Sequence, residues 1–348
     1  PIIAVAQGIS HSLALAADGS VYAFGRNFNG QLGDGTFINR NTPIRVVKGA
    51  YVGTTFIGDN ASNPIIGISC GAAHNMVIAA DGSVFAFGYN FYGQLGDGTT
   101  IDRSSPIRIL KGLYNGASFL GDNPANPIIK LAGGIHHSLA LAANGQVYSV
   151  GNNTYGQLGD NTTINRSTPV NVIKGAYIGT TYLGDSTLNP IMSISAGYYH
   201  SNAIAYDGTL YSYGLNFSGQ LGDGTLTQRN APVRTVKGGA YSGTAFLGDN
   251  TLNPITGVSS GNEHTIALLS DGTAYTFGYN GLGGLGNGNT INQSQPVRVL
   301  KGAYSGTTYL GDNSKNPIVS VSASENFSFG IAADGYLFAM GRNTNGQL

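Results

Sequence analysis

Short apolar stretches separated by glycine-rich turns dominate the chain. Residues 2–6 are almost entirely aliphatic, and residues 12–16 and 21–24 alternate with a period of two, as half-buried strands do. Asp18-Gly19 favours a hairpin turn between the second and third segments. A fourth segment, residues 43–47, begins with Pro43 and carries a charge, which is typical of an edge strand. No 3.6-residue period is present, so the sequence predicts four strands and no helix.

The whole pattern recurs along the chain. His11 returns at steps of 63, 63, 63 and 64 residues, and an additional glycine at Gly238-Gly239 accounts for the longer step. Repetition at this scale indicates a repeat architecture. It predicts five full units and a truncated sixth, with approximate bounds 1–63, 64–126, 127–189, 190–253, 254–316 and 317–348. Both ends fall inside the pattern, so we expect a segment of a longer or processed protein.

Four antiparallel strands repeated in this way predict an all-β fold, a β-propeller with one four-stranded blade per unit. We expect the first, apolar strand to be innermost and covered by neighbouring blades, and the charged fourth strand to be outermost. Six blades could close alone, or a seventh could come from sequence beyond this chain. The pattern leaves both closures open.

One set of motifs resembles a known family. Gly8 to Leu13, Asp18-Gly19, Val21 to Asn27 and Gly30 to Gly33 are similar to the repeat of the regulator of chromosome condensation (RCC1) family. The resemblance covers essentially the whole chain and implies a propeller, usually of seven blades. The family includes a guanine-nucleotide exchange factor, ubiquitin-ligase modules and a β-lactamase inhibitor, so the fold alone does not select a function. The chain departs from the family at its usual Trp position, which holds Phe24, Phe87, Val150, Tyr213, Phe277 and Met340.

Composition excludes several classes of protein. The chain has 17 basic and 17 acidic residues, and so lacks the basic excess that binding to nucleic acid requires. A single cysteine cannot form an internal disulfide framework or a cysteine-based zinc site. No apolar run is long enough to cross a membrane as a helix. No nucleophile motif, phosphate-binding loop or Cys–His pair is present, so the sequence predicts no enzyme, no cofactor and no metal.

Two recurring polar residue types are the candidate ligands. The histidines could line one rim and bind metal, but a structural role in each blade explains them as well, and the sixth unit has Phe327 at this position. They are His11, His74, His137, His200 and His264. The aspartates lie in Asp-Gly and Gly-Asp turns, where a carboxylate accepts hydrogen bonds from nearby amides. Lys48 could pair with Asp59, eleven residues later.

Each full unit also carries an insert after its fourth segment, residues 48–60 in the first unit, which predicts a turn or small hairpin. Its tyrosines are Tyr51, Tyr114, Tyr177, Tyr241 and Tyr304. Tyrosine gives a large contact area at low entropic cost, so these five are our candidate interaction surface. The alternative is that they pack between blades.

The sequence predicts a non-enzymatic module that binds other proteins or copies of itself. Low charge and a surface rich in Asn, Ser and Thr favour an extracellular or cell-surface protein, with several Asn-x-Ser/Thr positions open to glycans. Neutral repeated faces could also stack into a filament. The alternative is an intracellular regulatory propeller that binds a GTPase, an enzyme or a partner from the ubiquitin pathway.

Overall fold

The strands occur in groups, four in each of the first five repeats and three in the described part of the sixth. The computed structural model describes every residue except Ala240 and Gln347. It divides into two units, Pro1–Thr154 with Thr162–Val172, and Tyr155–Asn161 with Ile173–Leu348. All of the elements in the described residues are strands. These residues include no helix that is long and apolar enough to span a membrane.

The first unit contains three antiparallel sheets of four strands, counted over the residues described. In chain order the strands are β1 (Ile2–Gln7), β2 (His11–Ala16), β3 (Val21–Gly25), β4 (Arg40–Arg45), β5 (Ile65–Cys70), β6 (His74–Ala79), β7 (Val84–Gly88), β8 (Arg103–Arg108), β9 (Ile128–Gly133), β10 (His137–Ala142), β11 (Val147–Gly151) and β12 (Arg166–Asn171). Within each sheet, every strand pairs antiparallel with the next one along the chain.

The second unit repeats this arrangement, and its last described sheet has three strands. Its strands are β13 (Ile191–Ala196), β14 (His200–Ala205), β15 (Leu210–Gly214), β16 (Arg229–Arg234), β17 (Ile255–Ser260), β18 (His264–Leu269), β19 (Ala274–Gly278), β20 (Gln293–Arg298), β21 (Ile318–Ser324), β22 (Phe327–Ala332) and β23 (Leu337–Gly341). Antiparallel sheets of this kind, one to each repeat, are the blades of a β-propeller, and they confirm the predicted fold class.

The fourth strand differs from the prediction. It begins three residues earlier, at Arg40, so Pro43 lies inside β4 instead of opening it. A proline is tolerated there because β4 is an edge strand and pairs only with β3. The pairing is also irregular: Tyr22 lies opposite Arg45 and Gly25 opposite Arg40, with a register shift between Ala23 and Gly25.

Burial also follows a different order from the one expected. Except in the first and last sheets, the second and third strands are buried throughout, as in β6 and β7. The first strand keeps one face open, and Ile66 on β5 is 57% exposed. The reason is that consecutive sheets pack face to face over their middle strands. In the first unit, Leu13 and Val21 join Val77 and Phe87 in one such core. Equivalent cores lie between the consecutive sheets of the second unit.

Candidate interaction surface

The five insert tyrosines lie inside their repeats. Their side chains are 2 to 4% exposed, so they offer almost no area to a partner. The Tyr51 hydroxyl donates to the Asn63 carbonyl at 2.5 Å, and each equivalent tyrosine makes the same bond. The Tyr114 ring packs edge-to-face on Tyr148 of the next repeat at 5.4 Å. The insert closes as a hairpin through a bridge such as Val47 to Phe56, as predicted. These rings therefore pack the repeats together, which is the alternative that the sequence left open.

The repeated histidines are also buried, and side-chain contacts of four of them join neighbouring repeats. His11 Nε2 lies 2.8 Å from Asn75 Oδ1, and His74 Nε2 lies 3.0 Å from Ser138 Oγ. In the second unit, His200 and His264 make the same contact with Thr265 and Ser328. Burial lowers the pKa of His74 and His200 to about 3, and that of His264 to about 4. At neutral pH these rings are uncharged, and they connect neighbouring blades through side-chain hydrogen bonds.

The predicted ion pair between Lys48 and Asp59 does not form. Lys48 Nζ donates to the Gly53 carbonyl at 3.2 Å. Asp59 instead accepts from three successive amides, those of Thr54, Thr55 and Phe56. The carboxylate thus organises its own turn, as aspartates in tight turns commonly do. The described part of the chain contains no group of three or more His, Cys, Asp or Glu side chains placed to hold a metal ion.

A rigid frame supports the loop that follows the third strand in each repeat. In the second repeat, Asn90 Nδ2 donates to the Asp97 carboxylate at 3.1 Å and to two loop carbonyls. Its Oδ1 accepts from Leu95 N at 2.9 Å. Gln94 Oε1 holds the amide of Tyr92 at 3.0 Å, and Arg103 Nε closes the loop on Asp97 at 2.8 Å. The equivalent asparagine is present in all six repeats, and in the first, fourth and fifth it makes equivalent bonds to its loop.

The residues beside this frame differ from repeat to repeat, and all of them except Asn152, Leu215 and Ser218 are at least partly exposed. They are the two residues before the buried histidine position and three loop residues after the third strand. The backbone joins these two segments, since Tyr89 N donates to Ala73 O at 2.9 Å. We call this set the variable rim. In the first unit it comprises Ile9, Ser10, Arg26, Phe28, Asn29, Ala72, Ala73, Tyr89, Phe91, Tyr92, Ile135, His136, Asn152 and Thr154. In the second it comprises Tyr155, Tyr198, Tyr199, Leu215, Phe217, Ser218, Asn262, Glu263, Tyr279, Gly281, Leu282, Glu325, Asn326, Arg342, Thr344 and Asn345.

An aromatic cluster occupies the rim of the first unit. Tyr92 stacks on His136 of the next repeat at 4.8 Å, and Tyr89 lies 5.4 Å from the same ring. Phe91 packs edge-to-face on Tyr92 at 5.1 Å and is itself 63% exposed. Partial burial lowers the pKa of His136 and raises that of Tyr89. The cluster therefore presents exposed apolar faces with polar edges, and these faces are held in place before any partner binds.

The rim of the second unit combines aromatic rings with acid groups. Tyr155 lies 5.1 Å from Tyr199 and 6.2 Å from Phe217, which is 61% exposed. The chain has only two glutamates, Glu263 and Glu325, and both are on this rim. Ser218 Oγ donates to Glu263 at 2.8 Å, and the Arg342 guanidinium lies 3.8 Å from Glu325. Aromatic side chains are enriched at interface hot spots, and this rim places two glutamates beside them.

Our sequence reasoning missed the variable rim because it looked for residues that recur. The informative signal is the opposite one. Within motifs that every repeat shares, the positions that differ are those the fold does not constrain. Comparing the repeats position by position would have singled out the position of Phe91, which holds Phe, Thr or Gly next to the shared asparagine, and that of His136, which changes in every repeat next to a histidine found in five of them.

Comparison with known proteins identifies the family. The sequence profile described as the Regulator of chromosome condensation (RCC1) repeat matches residues 18–78, 81–141, 144–204, 207–268 and 271–331. A second profile with the same description matches six shorter segments, the last at 318–347. The chain belongs to the RCC1 repeat family. This confirms the resemblance drawn from the sequence motifs.

Relatives in this family have diverse functions. The chain is 29% identical to the ultraviolet-B receptor UVR8 of Arabidopsis thaliana over 390 aligned residues, covering all of this chain and 78% of that one. It is 33% identical to the human probable E3 ubiquitin-protein ligase HERC4, covering 69% of this chain and 20% of the ligase. Human WBSCR16 gives a TM-score of 0.76 at 23% identity, covering 99% of this chain and 77% of that one. Yeast RCC1 (Prp20), solved bound to Kap60, gives 0.71 at 21%, covering 98% and 70%. These two structural matches concern the fold.

Proposed function

We propose that the chain is a non-catalytic protein-interaction module that recognises a folded protein through its variable rim. The observation that carries this proposal is the aromatic cluster of Tyr89, Phe91, Tyr92 and His136, which is exposed yet held in place by the loop frame. Aromatic side chains on a rigid scaffold lose little conformational entropy on binding, so they are suited to a specific interface.

Relatives support a regulatory setting over an extracellular one. Yeast RCC1 (Prp20) has been solved bound to Kap60. A second structure of the yeast protein is described together with its binding to Gsp1p and histones. HERC4 is a probable ubiquitin-protein ligase, and UVR8 is a receptor. Of our two hypotheses, these relatives favour the regulatory propeller that binds a GTPase, an enzyme or a partner from the ubiquitin pathway. The extracellular location, the glycans and the filament stay predictions drawn from composition alone.

A non-catalytic role follows from how the rim is built. Catalysis needs unlike groups that converge on one reacting atom. In the first unit the rim side chains are aromatic, aliphatic, small or amide apart from Arg26, which lies over the Phe28 ring at 5.2 Å. In the second unit Glu263 and Glu325 are each held by the neighbours described above. These features fit recognition better than bond making.

Affinity purification from cells of the source organism tests the proposal. Three tagged forms are compared by quantitative mass spectrometry: the unchanged chain, the double variant Phe91→Ala/Tyr92→Ala, and the control Leu188→Ala. Leu188 is 88% exposed and precedes β13, at the end of the sheet opposite the rim. We expect one or more proteins to be retained by the unchanged chain and by the control but lost from the double variant.

Direct binding then separates recognition from indirect capture. The retained protein is purified and titrated against all three forms by calorimetry. Loss of two hot-spot aromatics is expected to weaken binding by about 2 kcal/mol or more, roughly 30-fold. A partner set that is the same for all three forms would show that the rim is not the recognition surface.

A further inference from the structure

Three aromatic rings of the second repeat form a corner on the variable rim. The rings of Tyr89 and Phe91 are nearly parallel, at 11°, with their centroids 6.4 Å apart. The Tyr92 ring stands almost at right angles to both, at 73° to Tyr89 and 84° to Phe91. Tyr92 also stacks on His136. Burial lowers the pKa of His136 below 6.5, so this ring is uncharged at neutral pH. The corner therefore presents aromatic faces that carry no positive charge.

One carboxylate lies beside this corner. Asp102 Oδ1 accepts at 2.8 Å from the amide of Asn90, the residue between the two parallel rings, and Asp102 Oδ2 accepts from Asn29 Nδ2 at 2.8 Å. Burial is the main cause of the raised pKa of Tyr89, and Tyr92 and Asp102 add to it. The carboxylate is thus within electrostatic reach of the aromatic rings. None of the ion pairs within the described residues involves Asp102.

The fold does not require the negative charge of Asp102. Amide side chains hold this position in the other four complete repeats, as Asn39, Asn165, Gln228 and Asn292. An amide oxygen makes the same bond to the loop: Asn39 Oδ1 accepts from Asn27 N at 2.7 Å, and Asn292 Oδ1 accepts from Asn280 N at 2.8 Å. The charge is therefore an additional property of the second repeat, which is also the repeat that carries the aromatic corner.

The first repeat shows what the phenylalanine of this loop can hold. Phe28 occupies the position of Phe91, and the Arg26 guanidinium lies over its ring at 5.2 Å. In the second repeat Tyr89 stands where Arg26 would be, so Phe91 has no arginine of its own loop beside it and is 63% exposed. A guanidinium is planar, stacks on aromatic faces and pairs with a carboxylate through two parallel bonds, whereas an ammonium is a compact point charge. An aromatic face beside an unpaired carboxylate therefore fits an arginine.

We propose that this corner binds an arginine side chain of the partner protein, with the guanidinium stacked on Phe91 and Tyr92 and donating to the Asp102 carboxylate. The ring quadrupoles attract the cation, and the carboxylate fixes its orientation. Arginine is also enriched at interface hot spots, so one such contact suits the centre of an interface. The proposal rests on the proposed function only for the protein that carries the arginine, because the site itself can be tested without that protein.

NMR with a small probe tests the site directly. N-acetyl-arginine N-methylamide is titrated into the 348-residue chain labelled with ¹³C in its six histidine rings. The His136→Gln variant identifies the His136 signal. We expect that signal to shift saturably as the probe binds beside the ring, and the signals of the buried histidines to stay unchanged. The citrulline analogue, in which a neutral urea replaces the guanidinium, should give no saturable shift.

Asp102→Asn is the decisive variant, because the other complete repeats fold with an amide at this position. It should weaken binding of the arginine probe at least about fivefold. Asp81→Asn is the matched control: it removes the same charge from the same repeat, at the turn that joins β6 to β7 at the end away from the rim. Asn144 holds this position in the third repeat, and it accepts from Gln146 N as Asp81 accepts from Ser83 N. Asp81→Asn should bind the probe as the unchanged chain does.

The proposal is overturned if the arginine probe leaves the His136 signal in place, or if Asp102→Asn binds the probe as tightly as the unchanged chain. An equal response to the citrulline analogue would also overturn it, because shape and not charge would then be recognised. The proposed function still stands after any of these results if Phe91→Ala/Tyr92→Ala loses its partner proteins. Arginine binding by a chain whose partners do not depend on the rim would refute the proposed function alone.

Discussion

Acidification should destabilise this protein well above the pH at which its carboxylates titrate. His74, His200 and His264 are fully buried and hydrogen-bond to the next blade. Burial lowers their pKa values to about 3, 3 and 4, from an ordinary value of 6.5. The unfolded chain binds protons at these rings near pH 6.5, and the folded chain does not. The stability they contribute is therefore complete above pH 6.5 and is lost as the pH falls toward the folded values.

The size of the effect follows from these values. At pH 5.0 each ring costs about 2 kcal/mol, because one pKa unit corresponds to about 1.4 kcal/mol and the unfolded ring titrates about 1.5 units above that pH. Three such rings give about 6 kcal/mol, which is comparable with the whole stability of many domains. Carboxylates do not obscure this window. Burial alone would raise the pKa of Asp97, but bonds from Thr99 and Arg103 outweigh it and hold the value below 3.8. Its contribution is lost only below that pH.

Urea denaturation at pH 7.5, 6.5, 5.5 and 5.0 measures the prediction, with each unfolding transition followed separately. We expect the unfolding free energy to be flat above pH 7 and to fall steeply below pH 6. His264→Gln should reduce the slope near pH 5 by one proton, about 1.4 kcal/mol per pH unit. NMR of the ring protons gives an independent reading. A free energy that does not change between pH 7.5 and 5.0, or a His74 ring that titrates near 6.5, would refute the reasoning.

Three further predictions concern packing inside the repeats. Tyr114→Phe leaves the Asn126 carbonyl without its donor and should cost about 1 kcal/mol of unfolding free energy in urea titrations. Asn90→Ala removes the bonds that set its loop and should cost about 2 to 4 kcal/mol, with faster amide hydrogen exchange confined to that loop. Gly112→Ala forces a methyl against the Pro169 carbonyl and should cost about 2 kcal/mol or more, read as a lower thermal midpoint.

Controls distinguish these effects from general damage. Tyr336 is 70% exposed, so Tyr336→Phe should leave the urea midpoint unchanged. Gly335→Ala carries the same kind of backbone strain as Gly112→Ala without the clash, and should cost less. If Tyr114→Phe matches the unchanged chain, the hydroxyl bond contributes nothing. If Gly112→Ala is no worse than Gly335→Ala, the close contact between Gly112 and the Pro169 carbonyl is not rigid.

The sequence by itself determined the repeat, the number of strands in each unit, and the strand-turn-strand order. These are local properties: alternation, Asp-Gly turns and glycine density act within a few residues, and the repetition shows them several times over. The fourth strand could be recognised as an edge strand from Pro43 and the charged residues of the segment. Its start at Arg40 could not, because pairing with Gly25 decides it.

Only the tertiary structure decided which side chains face a neighbour and which face solvent. Tyr51 and Phe91 are both aromatic residues in glycine-rich loops, yet the first is 3% exposed and the second 63%. The difference arises from contacts between segments far apart in the chain, such as the edge-to-face packing of Tyr51 on Phe85 and the packing of one sheet on the next. Repetition indicates which residues the fold needs, and non-local packing determines which of the remaining residues are available to a partner.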